Sequence, residues 1–385
     1  MAFVYALVLI VSVLVAAYAR RRRELCLRDK AQLRPGTSSR GEREKTDENT
    51  KSELTSTIEP LRDFDWQVTR PLKLRPFKPT YNITMAIQAT TPSELILMDS
   101  NYLSRVTARR QIVWKHTSAV HGAIPSGHAP IRELYSYLLG SYLPTRYPTM
   151  FELIPDVNSQ KTTTFRNKVT RVDSPLHPAP SDPLEMLRIL GETVEDDMFL
   201  LLRDPDSASN GNGNGGGEHR AVAFVCCHPS GFAPAGKLGK RLAEIHVPVP
   251  AYEKIGASME RYFARLEAGR GVKRMNWSIQ THPNLYAPSG NHVHVGEEVE
   301  EEKAVDVENS RFRVELQTLT RLPETQAILF SFKTYLYPLE DIKAEGLGPQ
   351  LADAIEGLKA GNAPGMWVYK GGVRWGRAIC EYLRE

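Results

Sequence analysis

The stretch "RFRVELQTLTRLPETQAILFSFKTYLYPL", Arg311 to Leu339, decides the fold class of this chain. From Arg311 to Leu319 the side chains alternate. Phe312, Val314 and Leu316 point one way, and Arg313, Glu315 and Gln317 point the other. That period of two is a β-strand with one face on a core. A short loop follows, and residues 327–339 read as the second arm of a hairpin. Two more strands, 197–203 and 221–227, flank a Gly/Asn-rich insertion in the same way. Helical patterns lie around them. Residues 131–148 place Ile131, Leu134, Leu138 and Tyr142 on one face and break at Pro144, and residues 182–194 open on an Asp182 cap with Pro183 at the first helical position. Residues 251–269 place Tyr252, Ile255, Met259, Tyr262 and Leu266 inward. Strands that return on themselves between helices predict an α+β fold with an antiparallel sheet, not a doubly wound parallel one. No internal repeat is present.

The chain has 385 residues, 41% of them hydrophobic and 24% charged, enough for a sizeable core. A formal net charge of +4 leaves no nucleic-acid footprint. The four cysteines, Cys26, Cys226, Cys227 and Cys380, include no CxxC pair, which excludes a structural zinc site and a four-cysteine iron–sulfur cluster. Adjacent Cys226 and Cys227 in an apolar run fit buried thiols of a reducing compartment. At the N-terminus, Ala2 to Ala19 carry no charge and are followed by Arg20–Arg23. A charge cluster after the apolar stretch fits a transmembrane anchor better than a signal peptide. The positive-inside rule then places the rest in the cytosol, on the endoplasmic reticulum membrane. Residues 20–60 read as a basic, polar tether and 61–385 as the folded domain. Two sequons, at Asn82 and Asn276, are silent under that topology.

Standard catalytic signatures are missing: no GxSxG, HExxH or Walker loop, and no GxGxxG after a strand. "GNGNGGG" is low complexity. His292 and His294 have metal-like spacing but stand beside an acidic insertion with no core around them, so no metal role is assigned to them. Glu195 to Asp197 read as the polar start of a strand. Arg313, Glu315 and Gln317, with Arg321 after them, form either a solvent face or a pocket wall whose guanidinium groups aim at an anionic cofactor edge. In "KLGKRLAEIHVPVP" (237–250), Leu238, Leu242 and His246 are four apart on one helical stripe, and Pro248 and Pro250 stop the helix. A histidine there either bonds the last carbonyls or points inward as a ligand, and an iron porphyrin needs a neutral imidazole at the edge of an apolar cavity. His228, opening the "HPSGF" turn, is the rival ligand. His116 lies in an arginine-rich polar stretch.

The pieces "ELILMDSNYLSRVTARR", "LPTRYPTMF", "VEDDMFLLL", "HPSGFAPAGKLGKRLAEIHVPVP", "RMNWSI" and the opening hairpin occur, in this order, between Phe77 and Leu339. In them the chain resembles the α-subunit family of haem-dependent oxidative N-demethylases, of the dimethylamine mono-oxygenase type, as a fungal, membrane-anchored member. The resemblance implies a PAS-like haem domain that oxidises an N-methyl group with dioxygen. His246, Asn276, Trp277, Arg313, Gln317 and Arg321 fall on motif positions. His246 is expected to bind the iron of haem b, with His228, Asn276 and Trp277 around the cofactor. Arg313, Arg321 and Gln317 are the expected catalytic set, the arginines holding a propionate or polarising the oxygen being activated. Without a flavin, nicotinamide or iron–sulfur signature, electrons must come from a separate reductase. The chain departs from the family pattern at Val194, Phe232, Leu316 and Thr320. The substrate is expected to be an amine or another small hydrophobic metabolite. The competing classes are a PAS-like haem sensor without turnover and a membrane-anchored glycosyltransferase, whose body would lie in the lumen.

Overall fold

The computed structural model describes residues 58–156, 159–209, 217–294, 296–301 and 304–385. The apolar segment 2–19 and nearly all of the tether lie outside the described residues. Among the described residues no helix is long and apolar enough to cross a membrane.

In chain order the strands are β1 (Gln88–Thr90), β2 (His121–Ala123), β3 (Phe151–Asp156), β4 (Ser159–Asn167), β5 (Val172–His177), β6 (Asp197–Arg203), β7 (His219–Val225), β8 (Gly271–Gln280), β9 (Arg311–Arg321) and β10 (Ile328–Pro338). The main helices are α1 (Tyr102–His116), α2 (His128–Tyr137), α3 (Pro183–Thr193), α4 (Leu242–Ile245), α5 (Gly256–Arg265), α6 (Gly348–Glu356) and α7 (Gly372–Arg384). Seven strands form one sheet in the order β1-β8-β9-β10-β6-β7-β2, every neighbour antiparallel. Strands β3, β4 and β5 make a second, small antiparallel sheet. The expected α+β class with an antiparallel sheet is what the chain adopts. The opening hairpin is β9–β10, with Arg321 opposite Ile328 and Arg311 opposite Pro338.

One face of the large sheet is covered by helices in two groups. Val106 of α1, Ile131 and Leu134 of α2, and Leu187 and Leu190 of α3 pack on Met198, Leu200, Val225 and Leu329. Leu351 and Ile355 of α6 and Ile379 and Leu383 of α7 pack on Ile279, Phe312, Val314 and Tyr335. The opposite face is roofed by the crossover from β7 to β8, which contains α4 and α5. The polar face of β9 is therefore not open to solvent, since Arg313 is 1% exposed and Glu315 8%. Of the two readings offered by the alternation, the structure favours an interior wall.

Two helices differ from their sequence patterns. Pro144 does not end the helix that begins at His128. The turns from Leu138 to Tyr142 widen into a π-bulge, and a further turn runs to Arg146. The bulge takes up the missing proline donor, so the break comes at Tyr147. The helix expected over 237–246 is a single turn, α4, after a separate 3-10 turn at Pro234–Lys237. Between them Gly239 turns the chain at φ +77°, a conformation open to glycine. Leu238 thus leaves the stripe and packs with Phe224 and Phe232, while Leu242 and His246 keep their four-residue spacing. By contrast α3 begins as expected, with the Asp182 carboxylate accepting from Leu184 N at 2.9 Å, a cap that contributes about 1 kcal/mol. Cys226, Cys227 and Cys380 are buried free thiols.

Candidate functional site

Under the crossover lies a cavity of about 290 Å³, near the lower end of the sizes usual for small-molecule sites. Its floor is the sheet. Phe199 and Leu201 of β6, Leu319 of β9, and Phe330 and Phe332 of β10 make the apolar part. Arg274, Asn276 and Ser278 of β8 and Glu315 and Gln317 of β9 make the polar part. Register explains the grouping, because Arg274 stands opposite Gln317, Asn276 opposite Glu315, and Gln317 opposite Phe332. Leu242, His246, Tyr252 and Phe263 close the cavity from the roof, with Phe232 and Lys237 ahead of them.

His246 caps α4, half-buried in the cavity wall. Its Nδ1 donates to Leu242 O at 2.7 Å, and the ring lies flat on Tyr252, with centroids 4.6 Å apart and planes 3° apart. Burial lowers its pKa to about 4, so the ring is neutral near pH 7 and keeps the lone pair of Nε2. Of the two roles weighed from sequence, the bond to a last helical carbonyl is present. The ring bonds a helix carbonyl through one nitrogen and leaves the other for a ligand, as metal-binding histidines do.

The polar wall is one hydrogen-bonded group. Glu315 Oε2 accepts from Gln317 Nε2 at 3.0 Å and from Asn276 Nδ2 at 3.4 Å. Asn276 Oδ1 accepts from Lys370 Nζ at 3.2 Å, and the Trp277 carbonyl accepts from the same ammonium. Lys370 has no carboxylate partner within ion-pair distance among the described residues, and burial pulls its pKa down to about 8. The Arg274 side chain makes no hydrogen bond or ion pair among the described residues, its Nε is sealed without a partner there, and burial lowers its pKa. Three cations, Lys237, Arg274 and Lys370, line the cavity against one carboxylate, Glu315.

The expected site residues divide. His246, Asn276 and Gln317 line the cavity, whereas Trp277, Arg313, Arg321 and His228 do not. Trp277 points to the other side of β8, against Phe312. Arg313 is buried beside the cavity, where it donates to the His228 carbonyl, Leu285 O and Thr334 Oγ1 and lies 3.7 Å from Glu315. Arg321 is spent on backbone: it donates to Phe263 O, to Leu266 O at 2.6 Å and to Gln326 O. His228 is 2% exposed and its Nε2 has no partner among the described residues. Burial and the nearby arginines 109, 105 and 313 hold its pKa well below the ordinary value.

Several residues were missed in sequence. His292 is not a surface residue beside an acidic loop. It lines the cavity with its ring stacked on Tyr369 at 4.4 Å. Its signal, a histidine in a loop, carries no period that would mark it as inward. Glu195 to Asp197 are more than the polar start of a strand. Asp197 accepts from Arg109 Nη1 at 2.6 Å, Cys227 N at 2.7 Å and His228 N at 2.8 Å, and Glu195 pairs with Lys333 at 2.9 Å. Of the positions that depart from the family pattern, Phe232 lines the cavity under the Lys237 ammonium, 4.8 Å away. Val194 is in the core, Leu316 packs behind the sheet, and Thr320 lies outside the cavity. The family model described as haem-dependent oxidative N-demethylase, alpha subunit-like, matches residues 86–380.

Proposed function

We propose a function from the premise that the chain belongs to the haem-dependent oxidative N-demethylase, alpha-subunit-like family: the cavity under the crossover is a haem site, and the protein is a mono-oxygenase. The observation that carries this is His246, a neutral imidazole tied through Nδ1 to Leu242 O at 2.7 Å at the edge of an apolar cavity. The donor set fits. A neutral nitrogen suits the iron, aromatic rings suit the porphyrin faces, and two positive charges in excess suit a dianionic edge. In this reading His246 would bind the iron, and the unpaired Arg274, with Lys370, would hold the carboxylates of haem b. Arg313 and Arg321, expected in that role, are read instead as positioning residues. Arg313 holds the 228 turn, and Arg321 holds the end of α5.

Haem, when bound, supplies the activation of dioxygen with electrons from a separate reductase. The chain's own residues do the rest. Phe199, Phe330 and Phe332 exclude water. The amide–carboxylate group of Asn276, Glu315 and Gln317 offers the polar contacts that orient an amine or another small hydrophobic substrate. The PAS-like reading of the fold is supported by five consecutive neighbours, β8-β9-β10-β6-β7, with a helical crossover over one face. We further place the body on the cytosolic side of the endoplasmic reticulum membrane, anchored through residues 2–19, because Arg20–Arg23 follow the apolar segment.

The absorption spectrum of the purified chain tests the reading. A Soret band is expected, lost or strongly shifted in His246→Ala and partly restored by added imidazole. Loss of the band in His228→Ala with an unchanged His246→Ala would hand the iron to the rival. A band without turnover, given reductase and a panel of N-methylated amines, would favour the sensor.

A further inference from the structure

The haem reading does not use all the charge in the cavity. Lys237, Arg274 and Lys370 line it against the single carboxylate among its lining residues, Glu315. In that reading Arg274 and Lys370 would meet the two carboxylates of haem. One cation, Lys237, then remains ahead of the roof, and one anion, Glu315, remains in the floor. The bonds each already makes show what each still lacks. Glu315 Oε2 accepts from Gln317 Nε2 at 3.0 Å and from Asn276 Nδ2 at 3.4 Å. Its Oε1 has only the Arg313 guanidinium, whose Nε is 3.7 Å away, beyond hydrogen-bond length. Gln317 spends its Nε2 on Glu315, and its Oε1 accepts nothing among the described residues. The floor therefore offers acceptors and needs a donor.

Lys237 is the reverse. Its ammonium lies 4.8 Å from the centroid of the Phe232 ring and reaches one backbone acceptor, Ile245 O, at 3.4 Å. Among the described residues it has no carboxylate within ion-pair distance. Burial, and then the like charge of Lys240, lowers its pKa, as befits an ammonium short of an anion. Aromatic rings connect the two ends. Phe232 packs on the cluster that contains Phe199, Phe224 and Phe332, and Phe332 stands opposite Gln317 on the sheet. A ligand lying on these rings runs from the acceptors of the floor to the ammonium.

We propose that the substrate is a zwitterion, an N-methylated amino acid, whose amine N–H donates to Gln317 Oε1 and Glu315 Oε1 and whose carboxylate pairs with Lys237. This deepens the mono-oxygenase reading above and rests on it. A simple alkylamine leaves the Lys237 charge partly desolvated and unmatched, so the carboxylate is what separates the substrate from its uncharged analogues.

The test titrates the full chain with N-methylglycine, N-methyl-β-alanine and N-methyl-γ-aminobutyrate, each beside its carboxamide. Binding is read by calorimetry and, in the haem-loaded protein, by the shift of the Soret band. At least one acid should bind about tenfold to a hundredfold more tightly than its amide, the range of one hydrogen-bonded charge. Lys237→Met should abolish that preference at an unchanged melting temperature, and Lys237→Glu should transfer it to N-methylethylenediamine. A haem-loaded wild type that binds acid and amide alike, or neither, would overturn the zwitterion and leave the haem reading standing. A Lys237→Met that melts lower yet still prefers the acid would reduce Lys237 to a cap on α4 and overturn its assignment. A chain that takes up no haem would sink the mono-oxygenase reading, a failure told apart from this one because calorimetry reads ligand preference without the cofactor.

Discussion

Asp196 and Asp197 are neighbours in sequence and opposites in circumstance. Asp197 is fully surrounded by donors: one guanidinium, two backbone N–H groups and a thiol. Among the described residues the Asp196 carboxylate has one weak contact, from Ser331 Oγ at 3.4 Å, and its Oδ2 is buried without a partner. Burial pushes the Asp196 carboxyl from 3.8 up to about 7, against the pull of Lys333 and with a further push from Glu195. Between those two values the folded state keeps a proton that the unfolded chain has released. Stability from this group therefore falls as pH rises from about 4 to about 7, by at most about 1.4 kcal/mol per pH unit. In Asp196→Asn that slope should vanish, because an amide does not titrate. Melting curves of the two proteins should diverge in favour of Asp196→Asn on going from pH 4 to pH 7.5. Parallel curves would mean that the carboxyl is ionised in the fold. The residues at stake were visible in sequence as a run of three acids, but their meaning was not. The partners Arg109 and Lys333 stand 88 and 138 residues away, beyond the reach of any local pattern.

At the scale of elements, α5 forms part of the cavity roof and Arg321 secures its end. Three carbonyls, at Phe263, Leu266 and Gln326, converge on that one guanidinium. Losing it leaves up to three acceptors unmade, each a loss of about 1–3 kcal/mol if it stays dry. Arg321→Ala should thus lower the melting temperature while the haem content per folded molecule stays that of the wild type. Arg274→Ala should do the reverse, with little change in melting of the unloaded protein and faster loss of haem to a scavenger such as apomyoglobin. Haem lost from a fully stable Arg321→Ala would return that arginine to the cofactor edge. The period of two on β9 was legible because a half-buried strand must alternate, and the hairpin followed from it. Which arginine lines the cavity was not legible: it is Arg274 of β8, whereas Arg313 and Arg321 of β9 are taken up by backbone carbonyls of segments distant in sequence. The α4 region failed for a related reason. The i, i+4 spacing of Leu242 and His246 was real, but spacing is blind to Gly239, whose positive φ cuts the helix in two.

The large sheet of the described body has a covered face and a hollow one, and the hollow was hidden because residues from Tyr81 to Lys370 contribute to it. The antiparallel class was readable from hairpins, which are local. The cavity was not, because it is made by register across four strands and by a crossover. One consequence reaches beyond the fold. Asn276 carries one of the two sequons, but its amide is in the cavity wall, bonded to Glu315 and Lys370. A glycan there is incompatible with the folded sheet, so Asn276 is the weaker reporter of topology. Asn82 is the informative site, being exposed and held only through its Oδ1 by Asn362 N at 3.2 Å. If the body lies on the cytosolic side, as proposed from the arginines at 20–23, Asn82 should stay bare in the wild type and the domain should be digested by protease added to intact microsomes. Moving the charge should reverse this. Replacing Arg20–Arg23 by serine and adding arginines before Ala2 should send the body into the lumen, where Asn82 gains an endoglycosidase-sensitive glycan and the domain becomes protected. Glycosylated Asn82 in the wild type would place the body in the lumen from the start, cut off from a cytosolic reductase.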